Sequence, residues 1–154
     1  MRVELVKQSF DCFGYPDCGF KYMPFEYCCD KLKNNPLIDL ISDEYDYSEV
    51  PSFNIVHKET INDWEDTYEN ETFYRIDYCP FCGEQFDIRV VGEEDVSEVI
   101  AKLDKEREAV WKKYCRSNNS YKKKEEINKS LRELDDKINH FHNLAEYDES
   151  WKGW

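Results

Sequence analysis

Apolar and polar side chains alternate with period two on both sides of residues 79–83. Tyr74, Ile76 and Tyr78 alternate with Phe73, Arg75 and Asp77 on one flank, and Phe86, Ile88 and Val90 alternate with Asp87 and Arg89 on the other. That period sends successive side chains to opposite faces of an extended chain, so both flanks predict strands joined as a β-hairpin. Val3 and Leu5, set among charged neighbours, predict an opening strand, and residues 53–57 predict another. Asn35, Pro36 and the apolar cluster Leu37, Ile38, Leu40 and Ile41 predict a short helix, because proline at the first helical position gives up an amide that has no partner there. Residues 61–70 fit either helix or loop.

The period changes near residues 93–95. Val96, Ile100, Leu103, Arg107, Val110 and Tyr114 are spaced alternately by four and three, and Ile127, Leu131, Leu134, Ile138, Phe141 and Ala145 repeat that spacing. Each series lays one stripe along a helix, interrupted once by Arg107. Between them Arg116-Ser117-Asn118-Asn119-Ser120 is rich in turn and cap residues, and Ser120 can cap the second helix. So short a joint predicts an antiparallel helical hairpin. The expected fold is α+β: an acidic domain over residues 1–94 built on the β-hairpin with short helices, a C-terminal helical hairpin over 95–150, and a tail at 151–154. In the tail Trp151 and Trp154 read as a local hydrophobic clasp. His140 and His142, two apart on a helix, cannot jointly grip a metal; His140 is expected on the surface and His142 beside the seam.

Composition changes the picture in two ways. Seven cysteines without an apolar leader, in a chain with no apolar run of about 18 residues, read as thiols and metal ligands in a reducing cytoplasm, with neither export nor membrane insertion expected. The net charge of −13 is also unevenly distributed: residues 1–96 hold 22 acids and 8 bases, whereas residues 97–154 hold 12 acids and 13 bases. The acids are densest over residues 39–71, where eleven meet only Lys58. Lys112, Lys113, Arg116, Lys122, Lys123 and Lys124 instead form a basic stretch around the expected hairpin tip. Lysines there also suit the first helix's C-terminal dipole, so a solvated tip competes with a nucleic-acid contact.

The turn itself carries the chemistry. Cys79-Pro80-Phe81-Cys82-Gly83 spaces two thiolates so that both can bend around one ion at about 2.3 Å and supply half of a tetrahedral zinc shell. Gly83 suits the positive φ that a metal knuckle often needs, and Pro80 suits a tight turn. A redox dithiol would open a helix inside a βαβ unit, whereas a strand is expected after this motif. The other half-shell must come from Cys12, Cys18, Cys28, Cys29, Cys115 or a histidine. Geometry alone favours Cys12 and Cys18 as a stretched second knuckle, in a loop with Gly14 and Pro16. Cys28 and Cys29 are adjacent, so a shared ion needs an unusual local backbone. Cys115 reads as a spare thiol.

Tyr27-Cys28-Cys29-Asp30-Lys31-Leu32, followed by Ile76-Asp77-Tyr78-Cys79-Pro80-Phe81-Cys82-Gly83, resembles a group of small uncharacterised bacterial and phage zinc-ribbon-like proteins with a Cys-Cys start and a Tyr-Cys-Pro-aromatic-Cys-Gly finish. The likeness covers residues 27–86. It implies Cys28 and Cys29 as the partners of Cys79 and Cys82 and carries no established activity; apart from the resemblance, Cys12 and Cys18, or His57 as a substitute ligand, remain the alternatives. The chain departs from the group by its residues ahead of the pair, its acidic middle and its helical C-terminal third.

One enzyme reading competes. His57-Lys58-Glu59 with Cys79 and Cys82 resembles the His-x-Glu and Pro-Cys-x-x-Cys signature of zinc deaminases, in which glutamate shuttles protons for a zinc-bound water. Tyr78 stands where that signature has proline, and a strand is expected where it has a helix. No phosphate-cradling glycine loop or Gly-x-Ser-x-Gly elbow is present. The sequence therefore points to a non-enzymatic zinc-stabilised protein-interaction module. In its specific form this is a phage-type inhibitor whose acidic surface competes for the basic site of a nucleic-acid-handling enzyme. The alternative is a nucleic-acid-binding zinc ribbon that uses the basic hairpin tip.

Overall fold

The computed structural model describes residues 1–12, 15–42, 49–62, 64, 67–116 and 121–154. The chain is mixed α+β, with two sheets and three α-helices among these residues. Strand β1 (Arg2–Cys12) and strand β2 (Tyr15–Tyr22) form an antiparallel hairpin, register Leu5 to Tyr22 and Cys12 to Tyr15. Helix α1 (Asp30–Lys33) precedes strands β3 (Ile38–Ile41), β4 (Ser52–Asn62) and β5 (Thr67–Arg75), which make an antiparallel sheet in the order β3-β4-β5. Strand β6 (Asp87–Asp95) pairs in parallel with β1, and strand β7 (Ala145–Glu146) with β2, giving the second sheet the order β6-β1-β2-β7. Between β6 and β7 run helices α2 (Ser97–Arg116) and α3 (Tyr121–His142), and a 3-10 turn (Ser150–Gly153) ends the chain.

The β1–β2 hairpin is covered on both faces. Val3 and Leu5 of β1 with Cys18 and Phe20 of β2 pack against Leu32, Phe53, Cys79 and Phe86. On the opposite face Phe10 joins Val96, Ile100, Leu103, Leu134, Phe141 and Trp151. This two-sided burial explains why β2 is buried without a break from Cys18 to Lys21, since each face of a period-two strand here meets a different layer. Gly19 faces the helices, where a Cβ would fall on the carbonyl oxygen of Phe141, so glycine lets α3 cross the strand closely. Lys21, two residues on and wholly buried, donates from its ammonium to the carbonyls of His140 and Asn143 and so ends α3. Burial lowers its pKa to about 8.

Both periodic helices form, but α3 ends at His142, so Ala145, the last position of the second stripe, lies in β7 instead. The beginning of α2 meets the end of α3 through Ile100, Leu103 and Phe141, Arg107 pairs with Asp135 midway, and Lys124 near the start of α3 lies over the Tyr114 ring near the end of α2. Arg107, the interruption in the first stripe, is thus half-exposed and answered by a carboxylate. The joint at 117–120, with the proposed Ser120 cap, lies outside the described residues, as does the Arg116 side chain. Trp151 is buried against Phe141, and Trp154 packs edge-on to the same ring. His142 sits edge-on to Phe10 at 4.7 Å between centroids. His140 is half-buried against Phe141 and Trp154 rather than on the surface, because the tail folds back over it.

Three expectations are corrected. Residues 38–41 are strand β3, not helix: Asn35 turns the chain by accepting the Leu37 amide at 2.8 Å, and Ile38 and Leu40 then face the core across from Ile55 and Phe53. The span 61–70 belongs mostly to the ends of β4 and β5, whose ladder reaches Asn62 opposite Thr67. The strands flanking the Cys79–Cys82 turn do not form one hairpin. Strand β5 is taken up by the long ladder with β4, and β6 by β1 in the other sheet, leaving only the Tyr78–Gln85 bridge across the turn.

Candidate metal centre

The chain passes between its two sheets through a knuckle. The Gly83 amide donates to the Cys79 carbonyl at 2.9 Å, the Cys79 amide to the Glu84 carbonyl at 2.8 Å, and the Phe86 amide to the Asp77 carbonyl at 2.9 Å. Gly83 has φ of 76°, in the left-handed region where a Cβ is costly. These bonds aim the Cys79 and Cys82 sulfurs to one side. On that side lies a bend at Cys28 and Cys29, immediately before α1. Cys29 is extended and the helix starts at Asp30, a change of direction that lets adjacent side chains reach one place.

The Sγ atoms of Cys28, Cys29, Cys79 and Cys82 all lie within 4.8 Å of one another. Cys28 is 3.5 Å from Cys82 and Cys29 is 3.8 Å from Cys79, sulfur to sulfur. Four thiolates at about 2.3 Å from a tetrahedral ion stand about 3.8 Å apart, so the four could hold a metal ion. Cys79 is buried, Cys28 and Cys29 are half-buried, and Cys82 is exposed.

The thiols do not share one electrostatic environment. Burial opposes ionisation of Cys79, but the main-chain amides of Phe81 and Cys82 and the neighbouring thiols outweigh it and bring its pKa down to about 7. Cys28 is pushed up to about 12 by burial and by its contacts with Cys82 and Cys79. The Leu32 amide favours the Cys29 thiolate, yet burial and the Cys79 and Cys82 thiols leave Cys29 above the ordinary thiol value. Metal-free, the cluster holds thiolate character at Cys79 and protons on Cys28 and Cys29; a cation would displace those protons.

The other named residues lie elsewhere. Cys18 is buried opposite Ser9, within the layer that supports the cluster, and is not one of the four. The Cys12 backbone pairs with Tyr15, so Cys12 and residues 15–18 lie in paired strands rather than a knuckle loop; the Cys12 side chain, residue 13 and Gly14 lie outside the described residues. His57 is exposed on β4 opposite Thr72, and Cys115 is exposed near the end of α2. Spacing did not reveal the Gly19 and Lys21 crossing, although a glycine two residues before a lysine inside an apolar strand was its signal. Among the described residues no helix is long and apolar enough to cross a membrane. No protein-family model matches the chain, and no curated protein or solved structure matches it.

Proposed function

We propose that this chain is a non-enzymatic, zinc-stabilised protein-interaction module whose acidic surface competes for the basic nucleic-acid-binding site of a partner enzyme, in the manner of a phage-type inhibitor. The observation that carries the zinc assignment is the closed set of four sulfurs within 4.8 Å. Four soft thiolates in tetrahedral array suit zinc, and they fill its shell, so no position is left for a substrate or an attacking water. Bound zinc supplies folding energy, joining residues 28–29 to 79–82 across a span that otherwise depends on a small core. His57, exposed on β4, is not among the residues that gather with the sulfurs, which removes the support for a deaminase site.

The acidic reading rests on placement. Asp39, Glu49, Glu59, Glu69 and Glu71, the described acids of the 39–71 segment, lie on or beside the β3-β4-β5 sheet, remote in sequence from the basic helices. Carboxylates on one sheet can occupy lysines and arginines that otherwise hold phosphates, and such binding weakens with salt. The test is displacement of fluorescent DNA from a basic nuclease by the metal-loaded protein, measured across salt concentrations. Displacement that fades as salt rises is expected; binding indifferent to salt, or retention of DNA by the protein itself, contradicts this function.

A further inference from the structure

We propose that the outer edge of β5 is a docking site for an extended basic segment of a partner, which joins the β3-β4-β5 sheet as a fourth, antiparallel strand. This rests on the acidic-contact function above and names how that contact is made. Strand β5 is an edge among the described residues, nine residues long, with every side chain exposed except the half-buried Thr72. Such an edge is a template for another chain unless it is blocked.

The direction of its main-chain groups follows from two hydrogen bonds. The Ile76 amide donates to the Phe53 carbonyl at 2.9 Å, and the Val56 amide donates to the Leu37 carbonyl at 2.7 Å. Odd-numbered residues of β4 therefore face β5 and even-numbered ones face β3. Because the register runs unbroken from Asn54–Arg75 to Asn62–Thr67, the amides and carbonyls of Thr67, Glu69, Glu71, Phe73 and Arg75 point outward. The side chains of these five share one face of the sheet. On that face a cavity of about 440 Å³ is lined by Ile41, Val50, Asn54, Glu71, Phe73 and Arg75.

Charge decides what fits. Residues 52–75 contain six acids against Lys58 and Arg75. Lys58 is taken by Glu71 at 2.5 Å and Arg75 lies 3.5 Å from Asp77. Two copies of β5 meeting antiparallel about their centres would set Glu71 against Glu71, and a shift to centre the pairing on Asn70 would set each Glu69 against a Glu71, pairings that like charges disfavour. A partner strand with Lys or Arg opposite Glu69 and Glu71 and an apolar residue opposite Phe73, beside the cavity, suits both charge and shape. Along the partner the pattern is apolar-x-basic-x-basic, with backbone bonds giving affinity and alternate side chains giving selectivity.

The probe is the peptide acetyl-Ser-Thr-Leu-Thr-Lys-Thr-Lys-amide, followed by fluorescence anisotropy on the metal-loaded full chain. N-methylation of the Leu and first Lys amides, which face β5 in this register, is expected to weaken binding about tenfold or more, because main-chain hydrogen bonds are lost. N-methylation of the second and third Thr amides, which face away, is expected to leave it unchanged within about twofold. The double variant E69K/E71K is expected to prefer the same peptide with Glu in place of Lys. Any other ranking of the two methylated peptides, or no binding by the parent, overturns the strand addition. Polylysine separates the two ideas, since it needs only charge. Polylysine binding without peptide discrimination leaves the acidic contact and removes the edge; no binding of either removes both.

Discussion

The two faces of the β1–β2 hairpin are held by different means. On the helix side, Phe10 and Phe141 meet the periodic stripes of α2 and α3, and long regular elements supply the apolar surface. On the other side, Val3, Leu5, Phe20 and Phe53 meet a short helix, a bend and a turn, and the contributors are gathered from residues 28–32 and 76–86. The helix-side core is maintained by repetition, and each turn adds apolar area worth roughly 25 cal/mol per Å². The cysteine-side core joins side chains of β3 and β4 to short segments at 28–32 and 76–86, and a cross-link between those distant segments would do most for it.

Metal removal should break the symmetry most. A zinc site of four cysteines contributes about 10 kcal/mol or more to folding, comparable with a whole domain's stability. Chelation is therefore expected to abolish the near-ultraviolet circular dichroism of the Tyr22, Phe25 and Phe53 cluster while most of the far-ultraviolet helical signal persists. Truncating one aromatic on each face sharpens the contrast. Phe53→Ala and Phe141→Ala should each cost about 4 kcal/mol in urea unfolding of the loaded protein. Only Phe53→Ala should speed metal loss to a chelator, because Phe53 packs in the layer around Cys79.

Gly19→Ala tests how closely helix and strand approach, with an expected loss of about 3 kcal/mol by thermal or urea denaturation, since the new methyl meets the Phe141 carbonyl. Lys21→Met tests the adjacent cap through pH. Lysine at 21 is protonated to about pH 8 when folded and to 10.5 when unfolded. The unfolded chain thus binds more protons between those values, and wild-type stability relative to the variant should rise as pH increases across that window. Lys58→Ala, which breaks the exposed pair with Glu71, should change stability by less than about 1 kcal/mol.

Legibility followed the same divide. Both helices could be read from the sequence because their stripes keep one period for five turns or more, and Val3 with Leu5 marked β1. Ile38 and Leu40 misled because a proline after a cap residue opens turns as well as helices, and only the β4 partner decides between them. Strands around Cys79 and Cys82 were visible, but their partners were not: local alternation predicts extension, whereas pairing depends on β1 and β4, far along the chain. Cys28 and Cys29 illustrate the same limit. Adjacent side chains diverge in regular structure, and the bend before Asp30 that reunites their sulfurs leaves no periodic trace. Phe73, Tyr74 and Arg75 fell within an expected strand, but the first part of β5 was hidden because Glu69, Asn70 and Glu71 carry no apolar alternation, and only the β4 ladder shows them extended.

Metal content per folded chain tests the central claim most directly, measured by elemental mass spectrometry on the wild type and on Cys28→Ser, Cys29→Ser, Cys79→Ser and Cys82→Ser. About one zinc per wild-type chain, retained through dialysis and lost or weakened in each variant, is the expected result. A wild-type chain that carries no zinc and keeps its near-ultraviolet signal in chelator would contradict the claim that this cluster organises the fold.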